Sequence, residues 1–134
     1  MNWQYASPEE YLPICNLFSE SRLGDGFIDV RRRITIPLFL RQCIAFYQDS
    51  KFCGFVTFAW LNDEAESHMP TTGIYPADWR SGKNFWVIDF AVKKGFDGFA
   101  MLRAVTKGLG VKKARYFRHK YKNIREVRTC QVAA

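Results

Sequence analysis

Residues 78 to 98 read Asp78-Trp79-Arg80-Ser81-Gly82-Lys83-Asn84-Phe85-Trp86-Val87-Ile88-Asp89-Phe90-Ala91-Val92-Lys93-Lys94-Gly95-Phe96-Asp97-Gly98. Asn84 to Ala91 is an aromatic and apolar run, the pattern of a buried strand. One carboxylate, Asp89, sits within it. A carboxylate in a buried strand is costly unless it is hydrogen-bonded or paired. The run then enters Lys93-Lys94-Gly95-Phe96-Asp97-Gly98 and a helical pattern. A glycine-spaced turn at a helix start aims several backbone N–H groups at one place. Together these features predict a small α/β domain that grips an anionic or carbonyl-rich ligand beside a positioned acid.

The chain has 134 residues, so 1–134 is expected to form one domain. Hydrophobic residues make up 48% and aromatics 16%, enough to fill a core and to exclude long disorder. The net charge is +7. Much of it lies in Arg31-Arg32-Arg33 and between Lys107 and Arg128. A basic surface suits an acidic protein, nucleic acid or a membrane face. The stretch Arg115-Tyr116-Phe117-Arg118-His119-Lys120-Tyr121-Lys122 interleaves basic and aromatic residues. The same pattern describes an edge strand with one wet face, so nucleic acid is the less favoured partner. A continuous basic face of Arg31, Arg32, Arg33, Lys112, Lys113, Arg115 and Arg118 is expected. Cys15, Cys43, Cys53 and Cys130 show no metal-knuckle spacing and no Cys-x-x-Cys, so no metal site is expected. There is no signal peptide and no apolar run near about 18 residues. A cytoplasmic protein with reduced thiols and no membrane span is the expectation.

Ser7, Pro8 and Glu10 mark a helix start with a capping box. Tyr11, Ile14, Cys15 and Phe18 form its apolar face, and it should end near Ser21. A second helix is expected from about Asp29, with its arginines on the wet side and Pro37 ending or kinking it. Cys43 to Gln48 and Phe52 to Trp60 read as strands joined by a hairpin turn at Asp49-Ser50-Lys51. Asn62 to about Asp78 reads as a long polar loop, functional or mobile. Asn84 to Ala91 is the central strand. Asp97 caps the next helix, whose stripe is Phe99, Leu102, Val105 and Leu109. Gly108 and Gly110 end it. Strands near Lys113 to Lys120 and Arg125 to Val132 complete the chain.

Strict alternation places Asp89 with Val87 and Ala91, opposite Trp86, Ile88 and Phe90. Asp89 then looks into a cleft as an acid/base or orienting residue, or it is a structural carboxylate tied to backbone amides or an arginine. Gly95-x-x-Gly98 is an amide cradle or a plain turn, and Lys93 and Lys94 beside it suit a phosphate or an acidic carrier protein. His68 lies in the long loop and could swing toward Asp89. His119 reads as a strand residue in the basic last third. Cys43 and Cys53 have no base beside them and read as core.

The order of two helices, three strands, a helix and further strands is similar to the layout of GNAT-like acyltransferase domains. That likeness implies an α+β single-domain fold, a twisted mostly antiparallel sheet with flanking helices. Three segments further resemble the RTX-toxin-activating lysine acyltransferases. Asp78-Trp79-Arg80-Ser81-Gly82 is similar to that family's Asp-Trp-x-Ser-Gly. Trp86-Val87-Ile88-Asp89-Phe90 is similar to its aromatic-apolar-Ile-Asp-aromatic strand. Gly54-Phe55-Val56-Thr57-Phe58-Ala59-Trp60-Leu61-Asn62 is similar to its Gly-aromatic-x-Ser-Trp-Ala-x-Leu-Asn strand, with Phe58 in the Trp place. The likeness spans about residues 10 to 118. The family pairs a His in a Ser-x-Leu-His turn with the strand Asp. This chain has Ser21-Arg22-Leu23-Gly24, so Gly24 stands in the His position. The family's Ala-Pro-Phe-Gly after the strand is Val92-Lys93-Lys94-Gly95 here.

The resemblance implies transfer of an acyl group from acyl carrier protein or acyl-CoA to a lysine of a protein acceptor. Asp89 is then the catalytic candidate, Lys93, Lys94, Gly95 and Gly98 the donor-binding ones, and Ser21, Gly24 and Trp86 the candidate cleft residues. No permanently bound cofactor is implied, since acyl-ACP or acyl-CoA is a donor substrate. The partners implied are acyl carrier protein or another acidic protein, and a protein acceptor; a homodimer is left open. The alternative is a catalytically inactive GNAT-like binding or assembly protein that docks an acidic partner, which the Gly24 departure favours.

Overall fold

The computed structural model describes residues 2–21, 31–121 and 124–131, with the side chains of Arg31, 117–128 and 130–131 outside the description. Six strands form one sheet in chain order: β1 (Asn2–Tyr5), β2 (Cys43–Gln48), β3 (Lys51–Leu61), β4 (Asn84–Val92), β5 (Lys113–Tyr121) and β6 (Ile124–Gln131). Neighbours are antiparallel except β4 and β5, whose parallel pairing runs only through Trp86↔Arg115 and Val87↔Tyr116. A parallel pair needs a crossover, here helix α4 (Gly98–Gly108). The other helices are α1 (Tyr11–Ser21), α2 (Ile36–Phe39, entered through a π-helical turn at Arg31–Thr35) and α3 (Asp63–Thr72). The expected α+β arrangement is the observed one.

The core has two sides. Met101, Leu102 and Val105 of α4 pack on Val56 and Phe58 of β3 and on Phe85 and Val87 of β4. Across the sheet, Ile14 and Phe18 of α1 meet Ile34, Leu38, Phe55 and Ala91. Beside them Ala65 and Met69 of α3 pack on Leu61, Trp86 and Ile88. Each such large side chain contributes about 1.5–3 kcal/mol by leaving water. Phe99, expected in the α4 stripe, is instead 55% exposed in its first turn.

Alternation fails in β4. Thr57 lies opposite Asp89, yet Phe58 lies opposite Val87, so Ile88 is an extra residue in a β-bulge. Phe85, Val87, Phe90 and Val92 consequently share the α4 side, and Trp86, Ile88 and Ala91 share the other. The expected grouping of Asp89 with Val87, opposite Trp86 and Ile88, is corrected by this slip: Asp89 reaches the α1–α2 side. Its backbone is served by a side chain. The Asp89 N–H donates to Thr57 Oγ1 at 3.0 Å, and the Thr57 hydroxyl donates to the Asp89 carbonyl at 3.4 Å. Thr57 occupies the serine place of the pattern quoted above, and the hydroxyl is the part it shares with serine.

Three further expectations change. The supposed loop from Asn62 contains α3, whose first turn is capped by Asn62 Oδ1 accepting from Ala65 N–H at 2.8 Å. Asp63, Glu64 and Glu66 suit its positive end, and only Ala65 and Met69 are buried. Arg33 does not lie on a wet face but reaches under the sheet surface to Asp89. The segment 115–121 is an edge only in part: β5 lies between β4 and β6, but only Arg115 and Tyr116 pair with β4, and the rest pairs with β6 alone. The β2–β3 turn is where expected but one residue shorter: Asp49 (φ 51°) and Ser50 (φ 63°) are both left-handed, the geometry of a two-residue hairpin, and Lys51 already belongs to β3.

The Asp78–Gly82 motif is a clamp on β3. The Trp79 carbonyl accepts from Trp60 N–H at 3.0 Å and from Gln42 Nε2 at 2.9 Å, while its ring is buried. Asp78 Oδ2 accepts from Tyr75 N–H at 2.7 Å. Ser81 Oγ donates to the Asp78 carbonyl at 2.8 Å and accepts from Asn62 N–H at 2.9 Å. Arg80 Nε donates to Gln42 Oε1 at 2.7 Å, and its Nη2 to the Leu40 carbonyl. At Gly82 a Cβ would stand 2.5 Å from Asn62 Cα, against backbone that cannot swing away. A second tie holds the first strand. Glu10 Oε1 accepts from Ser7 N–H at 2.9 Å and from Gln4 Nε2 at 3.2 Å. Burial works to raise the Glu10 pKa, but the hydrogen bonds from Ser7, Gln4 and Tyr47 outweigh it and hold it below the ordinary glutamate value.

These contacts give three expected outcomes. Gly82→Ala should cost about 1–3 kcal/mol through overpacking, read by chemical denaturation. Thr57→Val should cost about 1–3 kcal/mol by stripping the bulge of its partner, while Thr57→Ser restores most of it; equal loss in both would show that only the methyl packing matters. Glu10→Ala should cost about 1 kcal/mol or more at neutral pH. Because the folded pKa of Glu10 is depressed, its contribution is present above the ordinary value of 4.5 and is lost as pH falls through the lowered value. The stability gap between wild type and Glu10→Ala should therefore narrow on acidification.

Candidate functional site

Asp89 is 4% exposed and lies at the bulge, where β4 turns its backbone. Its Oδ2 accepts from Arg33 Nε at 2.7 Å, with the Arg33 side chain 19% exposed. Arg33 comes from the π-helical turn ahead of α2. A buried carboxylate needs such a partner, and a guanidinium supplies one whose charge does not titrate. The composition of Arg31-Arg32-Arg33 gave no sign of which arginine faces inward. The buried Ile34 beside Arg33 is the nearest local signal, since it places the inward face of the turn.

The cleft candidates separate. Trp86 is buried against α3, with Nε1 donating to Glu66 Oε2 at 2.9 Å. The other Glu66 oxygen takes Arg115 Nη1 at 2.5 Å. This Trp86–Glu66–Arg115 group is a second, partly exposed ion pair that sequence reading missed. Ser21 ends α1, exposed, its hydroxyl donating to the Leu17 carbonyl at 2.8 Å. Gly24 lies outside the described residues. Of the seven residues expected in one basic face, Arg33 and Arg115 are thus committed to Asp89 and Glu66. Arg32, Lys112 and Lys113 are exposed, and the side chains of Arg31 and Arg118 lie outside the description.

The turn after β4 has mixed properties. Gly95 has φ +96° and open space around its α-carbon, so it is the residue that lets the chain reverse. Asp97 Oδ1 accepts from Phe99 N–H at 3.0 Å and Ala100 N–H at 3.3 Å. Two of the amides expected to cradle a ligand are therefore taken by the helix's own cap. Lys93 and Lys94 are both exposed; the Lys93 ammonium lies 5.4 Å from the Phe52 ring centre and lines a groove of about 290 Å³ with Leu12, Pro13, Asn16, Leu17 and Glu20 of α1.

Other nucleophiles and bases are otherwise engaged. His68 is held in α3, stacked on Tyr75 at 4.8 Å, with Nδ1 3.1 Å from Thr72 Oγ1 and Nε2 3.2 Å from Asp78 Oδ2. It is not the swinging loop residue expected. The His119 side chain is outside the description. Burial pushes the Cys43 thiol up to about 12, and burial also raises Cys15 and Cys53. Thiols so raised stay protonated near neutral pH and are poor nucleophiles. Among the described residues no group of three His, Cys, Asp or Glu could hold a metal, and no helix is long and apolar enough to cross a membrane.

What remains is an ion pair at a strand bulge, on the α1–α2 side of the sheet, with a lysine-bearing turn at the end of the same strand. That arrangement can orient a carbonyl or an anion, and among the described side chains no imidazole adjoins it. Comparison with known proteins agrees with the architecture. A GNAT-family acetyltransferase from Streptococcus agalactiae superposes with a TM-score of 0.70 at 13% identity, covering 99% of this chain and 95% of that one. One from Listeria monocytogenes gives 0.58 at 12%, covering 98% and 94%. The GphF GNAT-like decarboxylase, solved with isobutyryl-CoA, gives 0.61 at 16%, covering 87% of this chain and 65% of that one. At such identities the likeness establishes the GNAT-like fold alone. No curated protein matches the chain in sequence. The family model described as HlyC, RTX toxin acyltransferase family, matches residues 15–132. The chain belongs to the RTX toxin acyltransferase family, built on a GNAT-like sheet.

Proposed function

We propose that the protein transfers an acyl group from the thioester of acyl carrier protein or acyl-CoA to a lysine amine of a protein acceptor. The lysine nitrogen forms a C–N bond to the carbonyl carbon and the C–S bond breaks. The proton lost by the amine goes to the departing thiolate, giving an amide and a free thiol. A protein can promote this by aligning the thioester and stabilising charge on its oxygen, without a resident base. The observation that carries the reading is the family match across 15–132, which includes the strand bearing Asp89.

Three features support a donor lying along the end of β4. Parallel pairing with β5 stops at Val87, so the strand beyond the bulge lacks a partner on that side. Lys94 is exposed at its end. Among the described residues no protein acceptor takes the N–H groups of Lys94 or Gly95. An extended pantetheine arm with its phosphate at Lys94 matches these features, with Lys93, Gly95 and Gly98 as the adjoining wall. A second reading, an inactive module that docks an acidic partner, is favoured by Gly24 in the histidine place and by an arginine on Asp89.

The test is intact-mass analysis of an acceptor protein after incubation with acyl-ACP, together with calorimetric titration of coenzyme A and acyl carrier protein. One acyl mass added to a lysine supports transfer. Donor binding without any transfer to toxin-type acceptors moves the second reading first. Should neither donor bind at millimolar concentration, the donor assignment is wrong. Gly98→Ala is a clean probe, since its methyl would meet only the Phe90 ring at 3.6 Å and Val92 at 3.8 Å. It should leave Tm unchanged and lower donor affinity if the ligand approaches that backbone. Lys94→Ala should weaken donor binding several-fold at low salt and much less at high salt.

A further inference from the structure

Asp89 and Arg33 are not equivalent halves of one structural tie. Asp89 is almost wholly buried, but Arg33 is one-fifth exposed and has donors to spare. A guanidinium carries five N–H donors in a planar fork. One of them, on Nε, goes to Asp89 Oδ2 at 2.7 Å. Among the described residues no acceptor takes a hydrogen bond from Nη1 or Nη2. A guanidinium this deep, fixed by a carboxylate behind it, is preorganised to hold an oxygen in front of it. It stands at the bulge, where β4 is paired with β3 but no longer with β5.

We propose that Arg33, held by Asp89, binds the carbonyl oxygen of the donor thioester through its Nη groups. This rests on the acyl-transfer reading given above and assigns that site its charge-stabilising group. As negative charge grows on the oxygen during attack by the amine, the guanidinium meets it without giving up a proton. Asp89 is then a positioning residue. It fixes the plane of Arg33 and does not accept the amine's proton. The site works with fixed charge. A histidine-dependent reaction loses rate as the imidazole protonates near pH 6.5. An arginine-dependent one has no such limb, because its charge is constant across that range.

The experiment uses the full chain and two probes on coenzyme A and on acyl carrier protein: an S-(2-oxoalkyl) ketone, which carries the carbonyl but cannot transfer, and the plain S-alkyl thioether, which lacks it. Wild type should bind the ketone at least about tenfold more tightly than the thioether. The ¹⁵N signals of the Arg33 Nη groups should shift with the ketone alone. Arg33→Lys keeps the charge but not the fork. It should erase most of the ketone preference while leaving thioether affinity within about twofold, and Asp89→Asn should reduce the preference through loss of orientation. A purely structural Arg33 would instead lower Tm and affect both probes alike. Equal binding of ketone and thioether by wild type, or a ketone preference that survives in Arg33→Lys with no shift of the Nη signals, overturns the proposal and leaves the donor site standing. Failure of wild type to bind either probe on either carrier removes the acyl-transfer reading and this proposal with it. Where transfer can be followed, its rate should show no limb near pH 6.5 attributable to the protein.

Discussion

A carboxylate shut inside a sheet must find a cation, and meeting that need shapes the middle of this protein. Asp89 could reach the α1–α2 side only because β4 gains a residue at Ile88. The gained residue disturbs the ladder, and the Thr57 side chain takes over part of the backbone pairing. On the other side of the pair, Arg33 comes from the π-helical turn over Arg31–Thr35, and Pro37 stands in the first turn of α2 that follows, where a missing N–H is tolerated. One extra strand residue and this turn thus bring two opposite charges together from remote parts of the chain.

Strong local chemistry was legible in the sequence. The hairpin turn at Asp49 and Ser50, the cap at Asp97 and the capping box of Ser7 and Glu10 rest on short-range rules, and the structure agrees with them. The central strand was legible because its aromatic run has one interpretation. What failed depended on partners distant in sequence. β1 is four residues long and is a strand only because β2 lies beside it. α3 carries an N-cap and an acidic first turn, but Pro70 and a surface mostly exposed to water gave it the composition of a loop. The side on which Asp89 lies could not be obtained by counting, since a bulge has no compositional mark here.

The motifs that resemble the family divide in the same way. Asp78–Gly82 reads like a signature of chemistry, yet each of its residues has a packing or hydrogen-bonding task at the end of β3. The Gly54–Asn62 strand contributes Thr57 and the Asn62 cap for similar reasons. Such residues hold this fold in place. They say little about whether a reaction is performed on it, and the burden of that question falls on the few side chains around Asp89.

The sheet order follows the chain from the first strand to the last, so each strand finds its partner in the next one along. The β2–β3 hairpin closes over two residues, whereas β1 and β2, β3 and β4, and β4 and β5 must close over long intervening stretches, and such non-local pairings form slowly. Arg33 and Asp89 are separated by 56 positions, more than any other described side-chain hydrogen bond. The pair therefore closes a longer loop than any of those bonds, and the conformational entropy given up in closing a loop grows with its length.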